Sequence, residues 1–284
     1  MHRLASIVAV VVFGAATASA QSSGQERAGW HAGPHVGQLG SRATVTVPEG
    51  YFFLDAAATK TFLEETQNIP DGDELGIILR ERPDKNDWFA VFSYSDNGHV
   101  DDGERNSLDA GAILKSLQEG SRISNEERRK RGWSALTLEG WHQAPFYDVS
   151  SNNLTWATKL SSDGESVINH SVRLLGRTGL MSAQLVDGPG TIDEATAEFN
   201  AVLKTYTFNQ GSRYAEFRPG DHVAAYGLTA LIAGGAGAVA VKSGLFQKLW
   251  KLIVFGVVAA AAALKKVLAG LFGKKDSAEQ QQQA

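Results

Sequence analysis

The sequence predicts an α+β fold: a mostly antiparallel sheet with packed helices, followed by a C-terminal membrane helix or helices. Three observations predict it. Strand and helix periodicities interleave over the first half as β, α, β, β, α. A run of strands with short, turn-rich connections then fills residues 133–186, and short connections imply antiparallel pairing. Finally, long apolar runs with few charges follow residue 222.

The chain opens on Met1-His2-Arg3, continues through apolar Leu4 to Ala16, and reaches the small-x-small site Ala18-Ser19-Ala20. That order matches an export signal, residues 1–20, cleaved before Gln21. Residues 21–40 are rich in Gly, Ser, Gln and His and are expected to be a flexible linker. His31 and His35 are four apart, but Gly33-Pro34 between them argues against a helix that would bring them together on a metal.

The body is expected over 41–222. Ala43 to Pro48 alternates as a strand. Asp55 can cap a helix running to about Gln67, with Ala58, Phe62 and Leu63 inward. Leu75 to Leu79 is a short apolar strand. Asp87 to Ser95 alternates again, with Trp88, Ala90, Phe92 and Tyr94 on one face. Asn106 or Ser107 should begin a helix whose stripe is Ala110, Ile113, Leu114 and Leu117 and which Gly120 should end. Ser124 with Glu127 then forms a capping box for a short charged helix stopped by Gly132. Its Arg128-Arg129-Lys130-Arg131 run suits a solvated face.

Strands follow at Trp133–His142, Phe146–Val149, Leu154–Leu160, Ser166–Leu175 and Gly179–Val186. Thr191 and Glu194 suggest a capping box for a last helix, with Ile192, Ala195, Phe199, Val202 and Leu203 inward.

Val223 to Val241 is 19 residues without a charge. As a helix it would measure about 28 Å, close to the ~30 Å hydrocarbon thickness, so a transmembrane helix is expected at 223–241. Its Ala233-x-x-x-Gly237 and Gly234-x-x-x-Ala238 spacings would let two such helices approach closely, a route to self-association. Residues 242–275 read as an amphipathic helix or a second membrane helix. Leu252 to Leu264 is uncharged but only 13 residues long. Lysines gather on one side of the projected helix, and seven of them would stay cytoplasmic if the chain crossed once. Residues 276–284, with their Gln run, are expected to be a disordered tail.

Composition excludes several functions. There is no Cys, hence no disulfide, thiol nucleophile or thiolate zinc site. Residues 21–222 carry 29 acidic and 19 basic side chains, a balance unsuited to nucleic acid. The Lys-bearing apolar tail instead suits a lipid bilayer. Gly235 to Ala240 has the form of a dinucleotide fingerprint but lacks the preceding strand and the acidic residue that should follow. No catalytic residue, resident metal or cofactor is assigned.

Candidate binding residues fall in two groups. His99, Asp101 and Asp102, with Glu104, are the densest polar cluster. They could offer oxygen ligands to a hard cation, although their spacing fits no calcium-binding helix–loop–helix and a polar turn explains them as well. Trp141, Tyr147 and Trp156, with Pro145, could form an aromatic recognition surface or pack in the core.

Several strings together carry a family resemblance. They are Trp88-x-x-x-Phe92-x-Tyr94 leading to Gly98-His99-Val100-Asp101-Asp102, Asn125-x-x-Arg128 with Gly132, and Gly140-Trp141 with Pro145-x-Tyr147-Asp148. Further on come Leu154-Thr155-Trp156-Ala157, Asn169 before Leu175-Gly176-Arg177-Thr178-Gly179, and Asp221-x-x-Ala224-x-Tyr226-Gly227. Over roughly residues 35–270 the chain resembles the bacterial uncharacterised membrane-anchored proteins grouped as domain of unknown function 2167. That resemblance implies an exported protein anchored by C-terminal apolar segments, and no known activity. Gly103 interrupts an acidic run that the family carries after Asp102, which weakens a metal site there. The Val47-Pro48-Glu49-Gly50 opening and the closing helix with Phe199, Leu203 and Phe208 also resemble the fold of nuclear-import Mog1-type and photosystem PsbP-type domains, a likeness of fold alone.

The function expected is a binding or interaction module at the bacterial inner membrane, with its main domain outside the cytoplasm and an envelope protein as a partner. The alternative is a metal-dependent or carboxylate-based hydrolase using His99, Asp101 and Asp102.

Overall fold

The computed structural model describes residues 27–66, 68, 70–80 and 88–233. The signal peptide, the start of the linker, residues 234–241 of the expected span, the amphipathic segment and the tail all lie outside the described residues.

The strands are β1 (Trp30–Ala32), β2 (His35–Leu39), β3 (Ala43–Val47), β4 (Tyr51–Asp55), β5 (Glu74–Arg80), β6 (Trp88–Ser95), β7 (Thr137–Asp148), β8 (Asn153–Ser162), β9 (Glu165–Leu175), β10 (Leu180–Asp187) and β11 (Thr207–Phe208). The helices are α1 (Ala56–Glu65), α2 (Ala110–Lys130), α3 (Ile192–Leu203) and α4 (Leu228–Ala233). Eight strands form one sheet in the order β1-β4-β5-β6-β10-β9-β8-β7, and β11-β3-β2 form a second, small sheet. Every strand pair in both is antiparallel. The α+β expectation holds.

Both faces of the large sheet are covered. On one, Trp88, Ala90, Phe92, Val172, Met181 and Leu185 pack with Ile192, Ala195, Phe199 and Val202 of α3 and with Val45 and Val47 of the small sheet. On the other, Phe89, Val91 and Val186 meet Ala58 and Leu63 of α1, while Leu154, Trp156, Leu175 and Leu180 meet Ile113 and Leu117 of α2 and Leu228 and Ile232 of α4. Burial on both faces explains why β5 and the start of β6 are almost continuously apolar rather than strictly alternating. Trp88 is fully buried, and its indole N–H donates to Glu198 Oε2 at 2.7 Å, so its polar edge is satisfied.

Asp55 caps α1 as its position suggested: its carboxylate accepts from the Ala58 N–H at 2.9 Å. Five other expectations are corrected. Residues 30–39 are not linker. β1 pairs with β4, and β2 pairs with β3, with Leu39 fully buried between the sheets. The chain changes sheet at Gly33-Pro34, where a side chain at Gly33 would collide with the Pro48 carbonyl.

The two helices expected between 106 and 132 are one. α2 is preceded by Asp109, whose carboxylate accepts from the Ala112 N–H at 2.9 Å, and runs from Ala110 through Gly120 and Ser124 to Lys130. Beyond Leu117 its inward face is polar and bonds the chain leading into β7. Asn125 accepts the Leu136 N–H at 2.8 Å and donates to the Leu136 carbonyl at 2.7 Å. Arg128 donates to the Ser134 carbonyl at 2.7 Å and is only 3% exposed, so it leaves the solvated basic face to its neighbours.

β7 runs unbroken from Thr137 to Asp148 through Pro145, which an edge strand with register shifts tolerates. At α3 no side-chain cap forms; Thr191 Oγ1 donates instead, at 3.5 Å, to the Gly188 carbonyl.

The fifth correction concerns the apolar run from Val223. Val223 forms a parallel bridge with His99, and Leu228 and Ile232, 0% and 2% exposed, sit in the core beside α2. Residues 223–233 are therefore part of the body, and no helix among the described residues is long and apolar enough to cross a membrane.

Candidate functional site

Three distant segments meet at one end of the sheet: the 96–105 loop after β6, the β9–β10 turn at 176–179, and the stretch 212–224. Gly98 takes a φ of +94°, and a Cβ there would lie 2.7 Å from His222 Nδ1 and 2.8 Å from the Ala224 nitrogen. Only glycine fits this approach. Its N–H donates to the Thr178 carbonyl at 2.9 Å. Next to it, the His99 N–H donates to the His222 carbonyl at 2.7 Å, and the Ala224 N–H donates back to the His99 carbonyl at 2.8 Å.

The His99 ring lies between Tyr214 and Phe217, with centroids 4.4 and 4.1 Å away and planes inclined by 21° and 24°. His99 Nδ1 is 3.2 Å from the Arg177 carbonyl. A carbonyl only accepts, so the tautomer that bonds here carries its proton on Nδ1. Arg177 in turn donates from Nε and Nη2 to the two oxygens of Asp221, at 2.8 and 2.7 Å. The Arg218 N–H adds a third bond to Asp221 at 2.8 Å. The Arg177 hydrogen bonds, followed by that of Arg218, lower the Asp221 pKa to about 2.

The acidic members of the predicted cluster have separate tasks. Asp101 is exposed and accepts the Gly103 N–H at 2.8 Å; Asp102 pairs with Arg105 at 3.2 Å. Glu104 accepts the Thr229 N–H at 3.0 Å, at the start of α4. No hydrogen bond joins His99 to Asp101 or Asp102, and no group of three His, Asp or Glu among the described residues is placed to hold a metal ion. The hydrogen bonds of His99, Asp101 and Asp102 are each made within the protein, to the Arg177 carbonyl, the Gly103 N–H and the Arg105 guanidinium.

The aromatic candidates are brought together, but in the core. Trp156 is 4% exposed, and the half-buried Trp141 and Tyr147 join it in the cluster that holds Val100 and Ile113. The Trp141 indole N–H donates to the Ala110 carbonyl at 3.0 Å. The Tyr147 hydroxyl donates to Asn152 Oδ1 at 3.3 Å, and burial, then the nearby Asp102 charge, pushes its pKa up. Tyr214, whose hydroxyl donates to the Val100 carbonyl at 3.0 Å, is pushed to about 12, first by burial and then by Asp102.

Beside this clasp runs a groove of about 370 Å³, with walls that include Leu174, Leu203, Phe208 and Tyr214 and with Arg213 at its edge. Two lining residues, Asn153 and Tyr206, keep Oδ1 and the hydroxyl buried without a hydrogen-bond partner. Burial raises the Tyr206 pKa, so the phenol stays a donor at neutral pH. The sequence offered no signal for either residue: each is a single polar position in a strand or turn, and the groove exists only once α3 and β11 close against the β8–β9 pair.

Fold and site together define an α+β domain with an internally bonded clasp and an adjoining, partly polar groove. Over residues 31–265 the chain matches the family described as Protein of unknown function (DUF2167), and it belongs to that family. No curated protein matches it. Among solved structures it is similar to cyanobacterial PsbP (CyanoP) from Synechocystis sp. PCC 6803, at 9% identity and a TM-score of 0.37, over 66% of this chain and 96% of that one. It is also similar to a protein of unknown function from Pseudomonas aeruginosa, described as a putative regulator, at 12% identity and a TM-score of 0.28, over 49% of this chain and 87% of that one.

Proposed function

We propose that this protein is an extracytoplasmic binding domain of the bacterial envelope, held at the inner membrane by its C-terminal tail. The observation that carries the binding role is the groove, where a buried hydroxyl and a buried amide oxygen lack partners between apolar walls. Such groups cost free energy until a ligand satisfies them. The imidazole and carboxylates nearby are instead occupied within the protein, which favours holding a molecule over transforming one.

The export-like N-terminus and the Lys-flanked apolar tail support the location. Because residues 223–233 belong to the body, lipid contact would start after Ala233. The uncharged remainder, 234–241, is eight residues, about 12 Å as a helix, against a hydrocarbon layer of ~30 Å. A tail lying along the membrane through 242–275 therefore fits better than a span over 223–241.

Ligand-observed NMR on the full chain, using a panel of small amphiphilic amides and carboxylates, tests the binding role. Hits that disappear with Tyr206→Phe and Asn153→Leu are expected; hits indifferent to both, or none, would contradict it. Fractionation tests the location. The full chain should sediment with membranes, and a chain ending at Ala233 should be released with the periplasm. Unprocessed full-length protein dissolved in the cytosol would refute the tether.

A further inference from the structure

Arg173 lies near the C-terminal end of β9, on the face of the large sheet that α1, α2 and α4 cover. In register it faces Leu154 on β8 and Ser182 on β10, and Ser182 faces Ser93 on β6. Ser171 follows two residues away on the same face. Its guanidinium carbon stands 4.8 Å from the centroid of the Trp156 ring. Nη1 is buried and has no hydrogen-bond partner, and no carboxylate among the described residues pairs with the guanidinium. Burial lowers its pKa to about 10, and no acidic neighbour raises it again.

An arginine side chain cannot escape this environment by losing its proton at neutral pH. A buried charge without a counter-ion is among the costliest features a fold can keep, and the aromatic face beneath it compensates only in part. On the β10 and β6 side of its row the neighbours, Ser182 and Ser93, are small and polar, while Leu154 closes the β8 side. Ser93, Ser182 and Arg173 all keep partial exposure, so the row is not sealed from solvent. Two rows further along the same face, Asn169 Oδ1 is also buried without a partner. A polar lane thus lies between two apolar clusters that could have been continuous.

We propose that Arg173 anchors an oxyanion site: its planar fork takes the carboxylate or phosphate group of a small ligand laid across the serine lane, with the Ser182 and Ser93 hydroxyls as further donors. A guanidinium matches two oxygens of such a group at once, and a site sheltered from water strengthens both bonds. This site is separate from the Tyr206 groove and stands whether or not the groove binds anything.

Thermal unfolding of the full chain tests it, with sodium acetate and sodium phosphate titrated in turn against sodium chloride at matched ionic strength. Wild type should gain a few degrees, roughly 2–6 °C, with at least one oxyanion. Phosphate also stabilises proteins generally, so the deciding quantity is the difference between wild type and Arg173→Met. The methionine variant should unfold, without added oxyanion, no lower than wild type, and should lose the specific gain. A gain with acetate alone identifies a carboxylate ligand, and one with phosphate alone a phosphate ligand. Trp156 supplies a second readout: an oxyanion should change tryptophan fluorescence in wild type and leave Trp156→Phe unchanged. Equal responses of wild type and Arg173→Met, or no oxyanion response in wild type, overturn the proposal. If Arg173→Met does not fold, Arg173→Lys replaces it, keeping the charge without the fork. About tenfold weaker oxyanion binding is then expected, and unchanged binding overturns the site.

Discussion

Arg177 holds Asp221 through two parallel hydrogen bonds of 2.8 and 2.7 Å across 44 residues of chain, with side chains only 20% and 14% exposed. The pair fixes the stretch that leads into α4. The folded-state pKa of Asp221, about 2, lies below its ordinary value of 3.8. The stabilisation is therefore fully present above about pH 4 and is lost as pH falls towards 2. Urea unfolding from pH 6 to pH 2 should show this loss in wild type. Asp221→Asn should be less stable than wild type at pH 6, with the gap closing towards pH 2. A constant gap would mean that the ion pair contributes nothing through its charge.

His99 and Asp101, both candidates on sequence grounds, should behave oppositely. His99→Ala removes a ring stacked on both faces and is expected to cost about 2 kcal/mol. Asp101→Ala touches an exposed turn and should stay within about 0.5 kcal/mol. Denaturant midpoints of the two variants measure the difference. A His99→Ala protein as stable as wild type would remove the ring from its structural role and reopen a chemical one.

Asn125 bonds both backbone groups of Leu136, which is 2% exposed. Asn125→Ala leaves the buried Leu136 N–H without a partner and its carbonyl with only the Ser121 hydroxyl, 3.3 Å away, at an expected cost of about 1–3 kcal/mol. Amide exchange at Leu136 should quicken in the same variant, whereas unchanged stability would show that water replaces the side chain.

What was legible in the sequence was local. The Asp55 cap, the face shared by Trp88, Ala90, Phe92 and Tyr94, and the inward stripe of α3 each depend on residues a few positions apart, where periodicity and capping chemistry act. Three features were hidden for three reasons. β1, β2 and the turn between them carry His31, Gly33, His35 and Gly37, residues whose composition suits a linker, and only pairing with β4 and β3 makes the two strands. The second half of α2 is fixed by Asn125 and Arg128 bonding a distant backbone, so its apolar stripe fades where the helix continues. The run after Val223 is apolar whether it faces lipid or protein, and hydropathy does not tell these apart. The candidate site shows the same division. His99, Asp102 and Tyr147 do gather near one another, but the ring stack with Tyr214 and Phe217 and the Arg177–Asp221 pair depend on contacts far apart in the chain.

His170 is 4% exposed on the sheet face that also bears Ile168 and Val172. Burial, then the nearby His142, lowers its pKa to about 4 from 6.5. Between these values the unfolded chain takes up a proton that the folded one refuses, so stability falls as pH drops from about 6.5 to about 4. The expected loss is on the order of 3 kcal/mol. His170→Leu should flatten this part of the stability profile, and an unchanged slope would assign the acid sensitivity to another group.

The clasp can be tested most directly by native-state amide hydrogen exchange at His99 and Ala224, whose N–H groups donate to the His222 and His99 carbonyls. In wild type both amides should be strongly protected, and in Arg177→Met both should exchange faster by roughly tenfold or more, since opening needs less free energy once the Asp221 pair is gone. Exchange of either wild-type amide at the rate of an unstructured peptide would contradict the clasp, and with it the assignment of residues 223–233 to the folded body.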